Sequence, residues 1–346
     1  MGPDDPTCAA LVDELQSSLD AAVKARHLPG VAAAADFGDC HLRLASGMSD
    51  LVAKSPLQAD GLFRVGSITK TFVATLLLSL RAEDKVSLDA PVSTYVSDVP
   101  GGDGITVRQL LNHTSGIYNY LESDDFLNAL QANPYRVWQP AELIAVTAGH
   151  KPYFPPGGGF HYSNTNYIIA GLVAERAGGR PLAELLRARV VEPAGLLHTY
   201  LDGSEPALPG LVHGYSAQGS SFADVTQAGD ASVTGAAGAL VSNTADLNTF
   251  YHQLLSGERL GPAELDEMRT WIPTMDPTAP EYGLGLIERP SPLGPAFGHD
   301  GAIWGFISSS CYIPDAGASI TVLVNTEETD INGIIDDLAK IVKTRM

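Results

Sequence analysis

Phe63-Arg64-Val65-Gly66-Ser67-Ile68-Thr69-Lys70-Thr71-Phe72 runs directly into an apolar stretch, Val73 to Leu80. That stretch predicts a helix whose first turn carries Ser67 and Lys70. Residues three apart share a helix face, so the hydroxyl and the amine are neighbours able to share a proton. A lysine taken out of water gives up its charge readily, and a neutral amine is a competent base toward a serine. The helix N-terminus adds free N–H groups and positive potential where an oxyanion would form. Alone, the pair decides nothing. An N-cap serine followed by a surface lysine spells the same letters.

Upstream of this helix, Cys8 to Arg26 carries Leu11, Leu15, Leu19 and Ala22-Val23 at a helical period. Gly30 to Ala35 and Leu42 to Ala45 read as a hairpin around Gly38. Downstream, Leu88 to Tyr95 and Thr106 to His113 predict short helices. From about Tyr120 to Leu255 the pattern is helical, broken by Pro and Gly. The loop Pro152 to Gly159 leads into His161-Tyr162-Ser163-Asn164 and a helix over Tyr167 to Arg176. Ala183 to Val191 and Thr244 to Leu255 continue it. The last third changes character: Tyr282 to Ile287, Ile303 to Tyr312 and Ile320 to Asn325 are strand-like, and Ile331 to Lys343 is an amphipathic helix. The expectation is a single α+β domain over 1–346. Its antiparallel sheet lobe comes from about 1–65 and 240–346, flanked by terminal helices, with an all-helical lobe inserted at about 80–235.

The 346 residues are 45% hydrophobic and 18% charged, enough for a sizeable core. A net charge of −19 argues against nucleic acid or anionic membrane as partners. No apolar run is long enough to predict a membrane span. Met1-Gly2-Pro3-Asp4-Asp5-Pro6 lacks the basic and apolar regions of a secretion signal, so the expectation is a cytoplasmic chain. An odd cysteine count (Cys8, Cys40 and Cys311) then predicts three free thiols. None of the histidines shows a metal-ligand spacing, which predicts an enzyme free of metal and cofactor.

Three loop features converge: Ser67-x-x-Lys70, Tyr162-Ser163-Asn164 and Phe297-Gly298-His299-Asp300-Gly301-Ala302. Together they resemble the serine β-lactamase and penicillin-binding-protein superfamily, in the branch with Tyr-x-Asn and His-x-Gly that contains class C β-lactamases, DD-peptidases, D-aminopeptidases, esterases and acyltransferases. Phe63 to Ser67, Thr106 to Leu111, His113-Thr114-Ser115-Gly116, Tyr162 to Tyr167 and Tyr282 to Leu286 also look like segments of that family, in its order. No Gly-x-Ser-x-Gly elbow is present, so an α/β-hydrolase reading fails.

The resemblance implies roles. Ser67 is the expected nucleophile and Lys70 its proton acceptor. Tyr162 is the expected general acid/base, with its phenol pKa lowered by Lys70. Asn164 would orient Lys70 and meet the acyl chain, and His299 would bond Tyr162 or the leaving group. The oxyanion would sit between the N–H groups of Ser67 and Ala302, with Gly301 and Trp304 as further substrate contacts. In the DD-peptidases a cation and two hydroxyls recognise a substrate carboxylate. Here the corresponding positions read Ile287, Asp300 and Ala302. The expected activity is therefore a serine hydrolase or transacylase. It would act on a small-molecule or short-peptide ester or amide lacking a free carboxylate and pass the acyl group to water or to an amine acceptor in a biosynthetic pathway. Asp300 would select an amine or hydroxyl donor. The alternatives are a D-Ala-D-Ala carboxypeptidase, a class C-like β-lactamase, and a sensor that acylates and stops.

Overall fold

The computed structural model describes residues 6–219, 221–327 and 329–345. Among these, nine antiparallel strands form one sheet in the order Ser55–Pro56, Cys40–Asp50, Gly30–Phe37, Ala318–Val324, Phe306–Ile313, Ala296–Ile303, Ile287–Arg289, Glu281–Tyr282 and Ile272–Pro273. The first and last thirds of the chain thus interleave: Val31 pairs with Val324 and Phe37 with Ala318.

Alternation along the strands sets the layers. Val31, Ala33 and Ala35 face one side with Val322, Val324 and Ile320, and on that side lie the helices Pro6–Arg26 and Ile331–Lys343. Leu11, Leu15 and Leu19 are fully buried there, at the period the sequence predicts. The opposite side meets the helix Thr244–Leu255, capped by the Asn243 side chain accepting from Asp246 N–H. Beyond it sits the helical region, where Thr69–Ala82 and Asn164–Gly178 pack together with all of Phe72, Leu76, Leu77, Tyr167 and Ile169 buried. Burial of this kind is worth roughly 1.5–3 kcal/mol for each large apolar side chain.

The region expected to be all-helical, about 80–235, also holds the short strands Tyr200–Leu201, Tyr215–Gln218 and Ser221–Asp224. Three further expectations change. Leu88 to Tyr95 holds only a 3-10 turn, Val92–Thr94, because Pro91 holds extended backbone at ψ 140° just before it. The strand expected over Tyr282 to Ile287 breaks into Glu281–Tyr282 and Ile287–Arg289. Gly285 has φ +67°, and a Cβ there would lie 2.9 Å from the Lys70 carbonyl oxygen, so this turn is pressed against the Ser67 helix. Third, Cys8 and Cys40 form a disulfide that ties the first helix to the hairpin, leaving Cys311 as a buried free thiol. The expectation of three free thiols is corrected. It rested on an odd count, which one buried spare cysteine defeats. With it goes the cysteine argument for a cytoplasmic chain, since such bridges persist in oxidising compartments. No helix of the described residues is long and apolar enough to cross a membrane.

Candidate active site

Ser67 lies in the 3-10 turn Gly66–Ile68 that opens into the helix Thr69–Ala82. Gly66 takes φ +50°, and a Cβ there would fall 2.8 Å from Ala302 N. A Cβ on Gly301 would fall 2.1 Å from the Val65 carbonyl oxygen and 2.8 Å from Ser67 N. Two glycines therefore let the strand Ala296–Ile303 lie directly on the serine turn, with the backbone nitrogens of Ser67 and Ala302 both at that contact. Ser308 Oγ donates to the Val65 carbonyl at 2.8 Å and pins that contact.

Lys70 is fully buried. Its Nζ donates to Ser67 Oγ at 2.9 Å, to Asn164 Oδ1 at 2.9 Å and to the Ala237 carbonyl at 2.7 Å. None of these oxygens is charged, so burial holds the amine well below its ordinary pKa. Asn164 opens the helix Asn164–Gly178 and is itself held through Asn119, whose Oδ1 accepts from Asn164 N–H at 3.1 Å. Asn119 Nδ2 donates to Glu122 at 3.1 Å, and Tyr153 Oη donates to the same carboxylate at 2.6 Å.

Tyr162 faces this group. Lys70 Nζ is 4.8 Å from its ring centre, and the Ser67 side chain is close enough to its phenol to favour the ionised form. The expected direction of its pKa is corrected. Burial pushes the phenol up, and the nearby Ser67 hydroxyl offsets only part of the rise. A neutral Lys70 supplies no charge to pull it down.

His299 is 3% exposed and lies on the serine side of its strand. Its Nδ1–H donates to the Asp300 carbonyl, and its Nε2 accepts from Tyr282 Oη at 3.0 Å. Its ring centre is 6.4 Å from that of Tyr162, and of the two partners expected for it, Tyr162 and a leaving group, the first is not bonded here; Tyr282 takes that nitrogen. Burial pulls the imidazole down to about 4.

Asp300 is displaced from its expected role. Its pleat neighbours His299 and Gly301 face the serine, so its own side chain points to the other face. There Arg289 donates to it at 3.0 Å, Asn332 on the C-terminal helix at 3.3 Å, and Ser309 also bonds it. Ile287 pairs with Gly298 and shares that outer face, as does Ala302. The Trp304 side chain packs at the turn after this strand, where a Cβ on Gly229 would lie 2.5 Å from its ring.

Sequence reasoning missed Tyr282, Asn119 and His113, which lie within family-like segments or just beyond one. It also missed a cavity of 720 Å³ walled by Ile105, Ile117, Tyr118, His150, Tyr153 and Phe154. Ser67 does not line it, but Tyr118 and Tyr153 flank the Asn119–Glu122 bonds. Among the described residues no cluster of three or more His, Cys, Asp or Glu side chains is placed to hold a metal ion.

A beta-lactamase family profile matches residues 15–341. Among curated proteins, esterase EstB of Burkholderia gladioli is 35% identical over 219 residues, a match covering 58% of this chain and 56% of the esterase. The chain thus spans little more than half of that relative's length. Among solved structures, a D-stereospecific amidohydrolase from Streptomyces sp. superposes with TM-score 0.83 at 35% identity, covering 97% of this chain and 98% of that one. The D-amino acid amidase of Ochrobactrum anthropi SV3 superposes with TM-score 0.89 at 28% identity, covering 97% and 99%.

Proposed function

Because this chain belongs to the beta-lactamase family, we propose that it is a serine hydrolase of that superfamily, cleaving an ester or amide through an acyl-enzyme on Ser67. One observation carries the reading: a fully buried amine 2.9 Å from the Ser67 hydroxyl with only neutral oxygens as partners. Lys70 takes the Oγ proton as Oγ bonds the carbonyl carbon. The oxyanion rests between the Ser67 and Ala302 N–H groups. Tyr162, kept protonated by burial, gives its proton to the departing nitrogen or oxygen, and the scissile bond breaks. The proton on Lys70 passes to the Tyr162 phenolate and resets both groups. Water then gives a proton to Lys70 as its oxygen attacks the acyl carbon, and Ser67 Oγ leaves with that proton. An added amine competing with water would turn the same intermediate into a transfer product.

The substrate we propose carries an amine on its acyl part. Glu122 supports this, as an exposed carboxylate held by Tyr153 and Asn119 two bonds from Asn164. The names of the amidase and amidohydrolase relatives point the same way. The 720 Å³ cavity beyond Tyr118 and Tyr153 offers room for an apolar substituent. A carboxypeptidase or β-lactamase reading is less well supported, since the guanidinium of Arg289 is committed to Asp300, Ser309 and Asn332.

The test is an intact-mass screen with amino acid amides, their N-acetyl forms, simple esters and β-lactams. One acyl group should appear on the Ser67 peptide, from free-amine substrates in preference to N-acetyl ones, and Ser67→Ala should lose it. Turnover that survives Ser67→Ala sinks the mechanism. Preference for the N-acetyl forms sinks the amine assignment.

A further inference from the structure

His113 sits in the segment His113-Thr114-Ser115-Gly116, which the steps above leave without a task. It follows the short helix Val107–Leu111, takes φ +60° and is fully buried. A non-glycine residue in the left-handed region carries strain, which persists where the surroundings over-determine it.

What surrounds His113 is the chain on both sides of Tyr162. Its carbonyl accepts from His161 N–H at 3.0 Å. Its Nδ1 accepts from Ser163 N–H at 3.2 Å. Its ring lies 4.3 Å from the Tyr162 ring, tilted by 34°. Three consecutive residues are therefore gripped by one side chain and its own carbonyl. Ser163, the N-cap of the Asn164 helix, makes no side-chain cap bond, so the grip on its N–H also fixes where Asn164 begins. Asn166 Nδ2 lies 3.1 Å from the same His113 nitrogen. With Nδ1 accepting, the ring proton belongs on Nε2. That atom is buried without a hydrogen-bond partner, and the Tyr282 ring centre lies 4.9 Å from that of His113, the two planes at 61°. Tyr282 is the residue that bonds His299. Burial keeps the imidazole neutral, with Lys70, His299 and His161 as the titratable groups that face it.

We infer that His113 is the positioning residue for Tyr162, holding the phenol against Ser67 and Lys70. The inference rests on the general acid/base role given to Tyr162 above. A structural histidine would hold the loop through its backbone and one nitrogen. It would not need an aromatic face on the reacting phenol.

The experiment is a cycle of His113→Asn and Tyr162→Phe. Asparagine tolerates the left-handed backbone and keeps an acceptor near Nδ1, but has no ring. His113→Asn should lower kcat about 10- to 100-fold, as for a misplaced reacting group, with KM little changed. The pH–kcat limb of the phenol should move with it. In the Tyr162→Phe background the same change should add less than about threefold, since the two act as one unit. Rates are taken per site titrated with a fluorophosphonate, which removes loss by misfolding. A full multiplicative loss in that background, or an unmoved pH limb with kcat intact, overturns the inference alone. An active Tyr162→Phe overturns the general acid reading and this one with it. The unmutated protein gives a second readout. With 15N-histidine, acylation of Ser67 should shift the His113 Nε2 signal, and an unmoved signal also counts against the assignment.

Discussion

Two buried cations stand on opposite sides of one strand. Lys70, fully buried, has only neutral oxygens around it, and burial drives its pKa far down. Arg289 is 8% exposed, and burial pulls on it too, but the Asp300 carboxylate at 3.0 Å more than reverses the pull and its pKa rises. The degree of burial is nearly the same and the outcome is opposite. Whether a counter-charge was placed alongside decides which cation can let its proton go. Arginine, which effectively never deprotonates, occupies the site where charge is permanent, and lysine the site where the proposed mechanism needs it lost.

The comparison breaks most directly if Lys70 can be a fixed cation. Lys70→Arg should cost about 10²–10⁴-fold in kcat, the usual share of a positioned proton acceptor. Steady-state rates on an activated amide within tenfold of the native enzyme would refute the neutral-amine reading. A second variant turns one site into the other. Asn164→Asp hands Lys70 the carboxylate it lacks, which should raise its pKa by about 1–3 units. The amine must be neutral to act, so the rising limb of the pH–rate profile should move to higher pH by that amount. A neutral-pH rate deficit that alkaline buffer fails to recover would count against it.

The opposite change strips the other site. Asp300→Asn leaves Arg289 buried without its anion. Breaking a fully buried pair costs about 3–5 kcal/mol, and with the Asp300 side chain 32% exposed about 2–3 is expected. Urea unfolding measures it, and replacing both partners by Arg289→Met with Asp300→Leu should restore part of the loss. The smallest effect belongs to His299, which shares the uncompensated side with Lys70. Its folded pKa is about 4 against an ordinary 6.5, so in that window the unfolded chain holds a proton the folded chain refuses. Stability should therefore be present above the upper value and fall as pH drops, by about 1 kcal/mol one unit below it. Denaturation midpoints from pH 7 to 5 should show this slope, and His299→Gln should flatten it.

The amphipathic end helices were legible because their burial period is local: Leu11, Leu15 and Leu19 announce the first, and Ile331 to Lys343 is recovered to the residue. The family, too, was legible from a handful of short segments. What failed was non-local or a matter of parity. Cys8 and Cys40 are 32 residues apart and meet only because the hairpin folds back under the first helix. Asp300 was assigned to the cleft although His299 and Gly301, one residue either side, had already been placed there. The pleat permits one face or the other, and that signal was in the sequence. His113 and Tyr282 carry no mark of their own, since their importance comes from rings and nitrogens contributed by segments far along the chain.

The interleaved sheet has a consequence for the order of manufacture. Translation delivers Ser67, Lys70, Asn164 and Tyr162 well before Ala302. The strand carrying Ala302 pairs with Phe306–Ile313, which pairs with Ala318–Val324, and this last strand also closes on Gly30–Phe37. Such end-to-end pairing forms late and slowly. On the proposed mechanism, a nascent or prematurely stopped chain would hold its nucleophile, base and acid without the Ala302 N–H that completes the seat for the oxyanion. On that mechanism, competence would wait for the last strand to reach the first.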